Sequence, residues 1–159
     1  MGSATVPARA LARSAVVLAA LVVSAAPLQA QSCDPQPGRI LLRVRPPVVD
    51  FPAPGLADFD AGYIDSPAFR VQVRNNGPRT RWTVCIRSDD STIGGSKSIG
   101  DLQWQLEGTS TWTSLSVSDQ FVAQGDRNSN LRLRFRILLD FAIDTPGLYQ
   151  AGVTWAATR

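Results

Sequence analysis

Along most of the chain beyond residue 38, apolar and polar positions alternate with a period of two, and the phase of that alternation predicts which side chains face a core. The longest run is 131–137, where Leu131, Leu133, Phe135 and Ile137 fall on one side and Arg132, Arg134 and Arg136 on the other. That period over that length marks a half-buried antiparallel strand. A second run, 149–157, places Tyr149, Ala151, Val153, Trp155 and Ala157 on one face. Between the two lies Asp144-Thr145-Pro146-Gly147-Leu148-Tyr149, which reads as a corner. Pro146 presets φ there, and Gly147 accepts a positive φ after it.

The same pattern predicts the earlier strands. Segment 39–45 alternates Ile40, Leu42 and Val44 against Leu41, Arg43 and Arg45, and 48–51 resumes it on an edge after Pro46 and Pro47. Residues 52–66 read as loop, with Phe59 and Tyr63 packing inward. Segment 68–74 sets Phe69, Val71 and Val73 against Arg70, Gln72 and Arg74; a turn at 75–78 leads into 81–87, with Trp82, Val84 and Ile86 inward and Cys85 opposite. A polar loop spans 88–100, Leu102, Trp104 and Leu106 alternate again, and 112–117 and 121–122 complete the set before a turn at 125–130. This makes seven to nine strands at spacings of roughly 8–12 residues, with no 3.6-residue period and no helix required after residue 30. The predicted fold is all-β, a single antiparallel sandwich over residues 31–159, and because the 144–149 stretch resembles the E–F corner of immunoglobulin-like sandwiches, that resemblance implies an immunoglobulin-like one.

Residues 1–30 stand apart. Arg9 and Arg13 precede an apolar run at 15–26, and Ala30 follows Leu28-Gln29, the three-part layout of a secretory signal peptide. The run is shorter than the roughly 20 residues a membrane-spanning helix needs. Cys33 lacks the branched apolar residue three places upstream that a lipid-anchored cysteine takes, since Ala30 stands there. Export to the periplasm, outer surface or medium is expected, with no membrane span after cleavage. In that compartment Cys33 and Cys85 are expected to pair, pinning the N-terminal segment to a core strand.

Charge and composition then narrow the function. Without Arg9 and Arg13 the chain carries 14 basic and 13 acidic residues, a net charge of +1, which gives no support to nucleic-acid binding. There is no histidine, which removes Ser-His-Asp and Cys-His catalysis and histidine metal sites. Asp89, Asp90, Asp140 and Asp144 single out no carboxylate pair of the glycosidase kind. No enzyme and no cofactor are predicted.

Several features together carry a family likeness. Asn75-Asn76-Gly77 stands before Trp82-Thr83-Val84, Leu102 and Trp104 precede Trp112, and Pro146-Gly147 precedes Tyr149 and Val153. This set resembles bacterial secreted immunoglobulin-like domains, and Cys33 with the closing strand is similar to the spore coat U and pilin-like group. The resemblance implies a surface or fibre subunit whose partners are other envelope or surface proteins. The chain departs from pilins at its end, Ala156-Ala157-Thr158-Arg159, which lacks a penultimate tyrosine. An exported, non-catalytic structural or adhesive domain is the leading expectation, and a small module for carbohydrate or anionic polymer is the alternative.

Three groups of residues are candidate sites. Asp58, Asp60 and Asp65 offer oxygen ligands, but Phe69 stands where an EF-hand needs its glutamate, so no metal site is predicted. Trp82, Trp104 and Trp155 sit in inward phases, which leaves Trp112 as the aromatic candidate for exposure and sugar stacking. Arg70, Arg74, Arg132, Arg134 and Arg136, with Arg43 and Arg45, lie on outward phases of three strands. If those strands are neighbours, one sheet face becomes an array of guanidinium forks suited to an anionic polysaccharide. With few acids in sight, the strip Arg132–Arg134–Arg136 is expected to be unneutralised.

Overall fold

The computed structural model describes residues 33, 40–76, 81–94, 96–144 and 149–158. Its elements in chain order are β1 (Ile40–Arg45), a short helix α1 (Leu56–Ala61), β2 (Tyr63–Asp65), β3 (Phe69–Asn75), β4 (Trp82–Ser88), β5 (Thr92–Ile93) and β6 (Lys97–Ser98). A 3-10 turn at Ile99–Asp101 leads to β7 (Leu102–Leu106), β8 (Thr113–Ser114), β9 (Gln120–Gly125), β10 (Ser129–Leu138) and β11 (Val153–Thr158). The larger sheet has the order β1-β3-β10-β7-β8, the smaller one β11-β4-β9, and β5 pairs with β6 as a separate hairpin. All pairings are antiparallel. The order β1-β3-β10-β7 parallels the A-B-E-D sheet of immunoglobulin sandwiches, and β4 beside β11 parallels C beside F. Strand β9, on the other flank of β4, stands outside that scheme.

Alternation fills the space between the sheets. Phe69, Val71 and Val73 of β3 and Leu133, Phe135 and Ile137 of β10 are buried, as are Leu102 and Trp104 of β7. Trp82, Val84 and Ile86 of β4 and Val122 of β9 meet them from the smaller sheet, while Tyr149, Val153 and Trp155 pack on the flank. The rings of Phe69 and Phe135 stack at 4.8 Å between centroids, and Trp155 meets Phe69 edge-on at 6.0 Å. Burial of this continuous apolar face on both sheets is the main stabilising term of a sandwich.

Strand β10 is the centre of the larger sheet and holds β2 and β3 end to end along one side. The register passes from Arg136↔Asp65 to Leu133↔Phe69, so three residues, 66–68, oppose two on β10. That is a bulge, and Pro67 within it has no N–H to offer. Ser66 repairs the ladder: its N–H donates to the Phe135 carbonyl at 2.8 Å, and its hydroxyl accepts the Phe135 N–H at 2.9 Å.

On the outer side of the smaller sheet, Cys33 and Cys85 form the expected disulfide, with Cα atoms 6.1 Å apart and a sequence separation of 52. Both are buried, and the Cys33 N–H donates to Asp119 at 3.1 Å. Among the described residues no helix is long and apolar enough to cross a membrane. Residues 1–30, where a signal peptide is expected, and Pro146 and Gly147 of the expected corner lie outside the described residues.

Four local expectations are corrected. Residues 56–61 form a helix, started where the Gly55 N–H donates to Asp58 at 2.8 Å and closed by Gly62 at φ 76°. Segment 48–51 is not a strand, although Val49 and Phe51 still pack against the core. Tyr63 faces outward at 36% exposure, because its ring lies on a guanidinium of the sheet face. Residues 88–100 contain the β5–β6 hairpin, anchored by buried Ile93 and Ile99.

Candidate functional site

The arginines singled out by parity come together on the outer face of the larger sheet, because β1, β3 and β10 are consecutive neighbours in it. Arg45 pairs in register with Arg70, and Arg70 with Arg132, so three arginines form one row across three strands. Adjacent strands stand about 4.8 Å apart, which sets the spacing of the row at its backbone. The three side chains line a shallow depression of about 290 Å³ with Ala68, Phe69 and Gln72. Arg43 lies beside Gln72, and Arg74 lies opposite Leu41 at the far end of β1. All seven arginines except half-buried Arg136 are exposed.

Neutralisation is uneven, and here the expectation of an unneutralised strip on β10 is corrected. Arg132 Nε meets Glu107 Oε2 at 3.0 Å, with both side chains more than half exposed, so that pair contributes little to stability. Arg136 is forked onto Asp65, with Nε–Oδ1 at 2.6 Å and Nη2–Oδ2 at 3.0 Å. Its guanidinium also lies 3.5 Å from the Tyr63 ring centroid and 4.1 Å from that of Trp112. The hydrogen bond to Asp65 raises the pKa of Arg136, against the opposite pull of burial. Arg134 donates to the Gln105 side chain at 3.0 Å, a neutral partner. Among the described residues Arg43, Arg45, Arg70 and Arg74 have no ion pair. The free cationic charge therefore centres on β1 and β3, while at the end of β10 Arg136 is neutralised within an aromatic stack.

Trp112 is half-buried and belongs to that stack on the outer face. Trp104 and Trp82 are buried, with their Nε1–H groups donated to Gln120 at 3.4 Å and to the Arg127 carbonyl at 2.8 Å. Among the described residues no second tryptophan joins Trp112 to make a coplanar sugar platform.

Most of the acidic candidates are engaged in holding the chain, while Asp60 is exposed on α1. Asp58 caps α1, and Asp65 holds Arg136. Asp89 accepts the Thr154 hydroxyl at 2.7 Å, and Asp90 accepts the Gly152 N–H at 3.0 Å, so both fasten the entry to β11.

A feature that sequence reasoning missed is a cavity of about 540 Å³ at the end of the sandwich, lined among others by Lys97, Asp101, Asp144 and Tyr149. Lys97 is the single lysine of the chain. Its Nζ donates to both carboxylate oxygens of Asp144 at 2.8 Å, and Asp101 lies 3.4 Å away. The side chains of Lys97 and Asp144 are each 8% exposed. Burial alone would lower the Lys97 pKa, but the bond to Asp144 and the nearby Asp101 raise it above 10.5. Burial likewise favours a protonated Asp144, yet Lys97 and the Asp140 N–H, which donates at 2.8 Å, pull its pKa below 3.8. Both groups are thus charged at neutral pH and occupied with each other, which makes the pair a fastener between the β5–β6 hairpin and Asp144, in the segment after β10. The lone lysine was visible in the sequence, but nothing local indicates a partner 47 residues away.

No protein-family model matches the chain, and no curated protein matches it.

Proposed function

We propose that this chain is an exported, non-catalytic structural or adhesive domain of the bacterial envelope or cell surface, and that it adheres to acidic polysaccharide through the arginine face of its larger sheet. The observation that carries this reading is the row Arg45–Arg70–Arg132 lining one depression. Guanidinium groups bind carboxylate and phosphate through paired N–H donors, and an exposed sheet face offers such groups to a polymer without a deep pocket. Export is supported by the disulfide, which persists in oxidising compartments, and by the signal-like pattern of residues 1–30. The non-catalytic reading is supported by the engagement of Asp65, Asp89, Asp90 and Asp144 in hydrogen bonds that hold the fold. Likeness to secreted immunoglobulin-like and pilin-like subunits belongs to the same proposal.

An array of acidic and neutral polysaccharides, probed with the purified protein at low salt, tests it. Binding is expected on acidic members and lost in Arg45→Gln/Arg70→Gln. Binding to neutral members alone, or an undiminished signal from the double variant, would remove the arginine face from the account.

A further inference from the structure

The depression on the arginine face has a charge count that discriminates between anions. Arg45, Arg70 and Arg132 line it, Gln72 adds a neutral polar group, and Glu107 is the carboxylate paired to the row. Three guanidinium charges and one carboxylate leave an excess of two positive charges at this point. A carboxylate, a sulfate ester or a phosphodiester brings a single negative charge and leaves half of that excess standing. A phosphate monoester carries about −1.5 to −2 at neutral pH and presents three acceptor oxygens. The basic side chains available are forks rather than point charges, since 15 of the 16 basic residues are arginine.

We propose that this depression is a binding site for a phosphate monoester group, the row Arg45–Arg70–Arg132 supplying the forks. The assignment rests on the reading of this face as an anion-binding surface and names the group recognised there. It carries a pH signature that comes from the ligand. The second ionisation of a phosphate monoester lies near pH 6, so the dianion is lost between about pH 7 and 5. On the protein side the row stays charged through that range, and the chain has no histidine. The flanking groups are Arg43 and Arg134, which stay charged, and Gln72 and Asn130, which are neutral. Glu107, paired with Arg132, is the carboxylate that faces the row.

The test is an NMR titration of the purified protein, following arginine Nε–H resonances, with methyl phosphate, dimethyl phosphate, methyl sulfate and acetate as probes. Methyl phosphate should shift Arg45, Arg70 and Arg132 and saturate at least about fivefold below each monoanion, as expected for its near-doubled charge. Its affinity should fall at least about threefold from pH 7.5 to pH 5, following the ligand's second ionisation. Arg70→Gln should lose the response, and so should Arg45→Gln on the neighbouring strand. Arg87→Gln, which removes the same charge from the smaller sheet, should leave it unchanged. Equal saturation by dimethyl phosphate, or a flat pH profile, would overturn the monoester assignment; if acidic polysaccharide were still bound, the broader reading would survive. Absence of any arginine response together with absence of polysaccharide binding would overturn both.

Discussion

Lys97 Nζ sits 2.8 Å from both carboxylate oxygens of Asp144, with each side chain 8% exposed, and so ties the β5–β6 hairpin to the segment that follows β10. Removing one partner leaves the other charge poorly solvated, and Lys97→Met should cost about 3 kcal/mol in urea unfolding. Lys97→Met/Asp144→Leu should cost less than Lys97→Met alone, because no orphan charge remains. The pH dependence follows from the direction of each shift. Asp144 has a folded pKa below 3.8, so its contribution is complete above that value and is lost as pH falls through the folded pKa. Lys97 has a folded pKa above 10.5, so its contribution is complete below that value and is lost as pH rises through the folded pKa. The gap in stability between the natural protein and the double variant should therefore be flat across neutral pH and narrow at both extremes. A gap that varies through pH 6–8 would contradict this.

Ser66 is 4% exposed and supplies the acceptor for the Phe135 N–H where Pro67 breaks the ladder. Ser66→Ala strands that buried N–H, and a loss of about 1–3 kcal/mol is expected. Faster hydrogen exchange at the Phe135 amide is the local readout, and an unchanged rate would argue against the repair.

Gly125 lies in register with Trp82, whose indole occupies the space a side chain would need. A Cβ built on Gly125 falls 2.5 Å from the ring carbon Cζ2 and 2.9 Å from Cε2. Gly125→Ala must displace a buried ring that is also hydrogen-bonded to the Arg127 carbonyl. A destabilisation of about 2 kcal/mol, with a change in tryptophan fluorescence, is expected from such overpacking.

The Cys33–Cys85 bridge closes a loop of 52 residues, which the loop-entropy relation values at about 4 kcal/mol. Cys33→Ser/Cys85→Ser should lose stability of that order, and alkylation without reductant should label neither cysteine of the natural protein. Two labelled thiols would show the bridge to be absent.

Parity was the legible part of this chain. Leu131, Leu133 and Phe135 against Arg132, Arg134 and Arg136 marks a half-buried strand from sequence alone, and β10 follows it. Which strands adjoin is a long-range property, so the sequence exposed the outward arginines but not the row Arg45–Arg70–Arg132. The same limit hid the neutralising acids. Asp65 reaches Arg136 from a three-residue strand inside a segment that read as loop, and Glu107 reaches Arg132 from the end of β7. Helix α1, at six residues, is too short to repeat an apolar face, and the two-residue strands β5, β6 and β8 are too short to show a period. Six strands of five or more residues follow segments where alternation was strong; β9 runs from Gln120 to Gly125, longer than the short 121–122 piece expected, and with β10 starting at Ser129 it narrows the turn expected at 125–130.

The central claim is that the arginine face holds an anionic polymer, and the salt dependence of heparin affinity tests it most directly. Each arginine engaged with a polyanion releases condensed counterions and steepens the fall of log Kobs with log salt concentration by somewhat less than one. For Arg45→Gln/Arg70→Gln the slope should drop by roughly 1.5. The fold should be intact, since outward charges contribute little to stability. Arg87→Gln, on the other sheet, should leave the slope as it is. A slope identical in the natural protein and Arg45→Gln/Arg70→Gln, or no measurable affinity at low salt, would contradict the claim and leave the face an ordinary solvated surface.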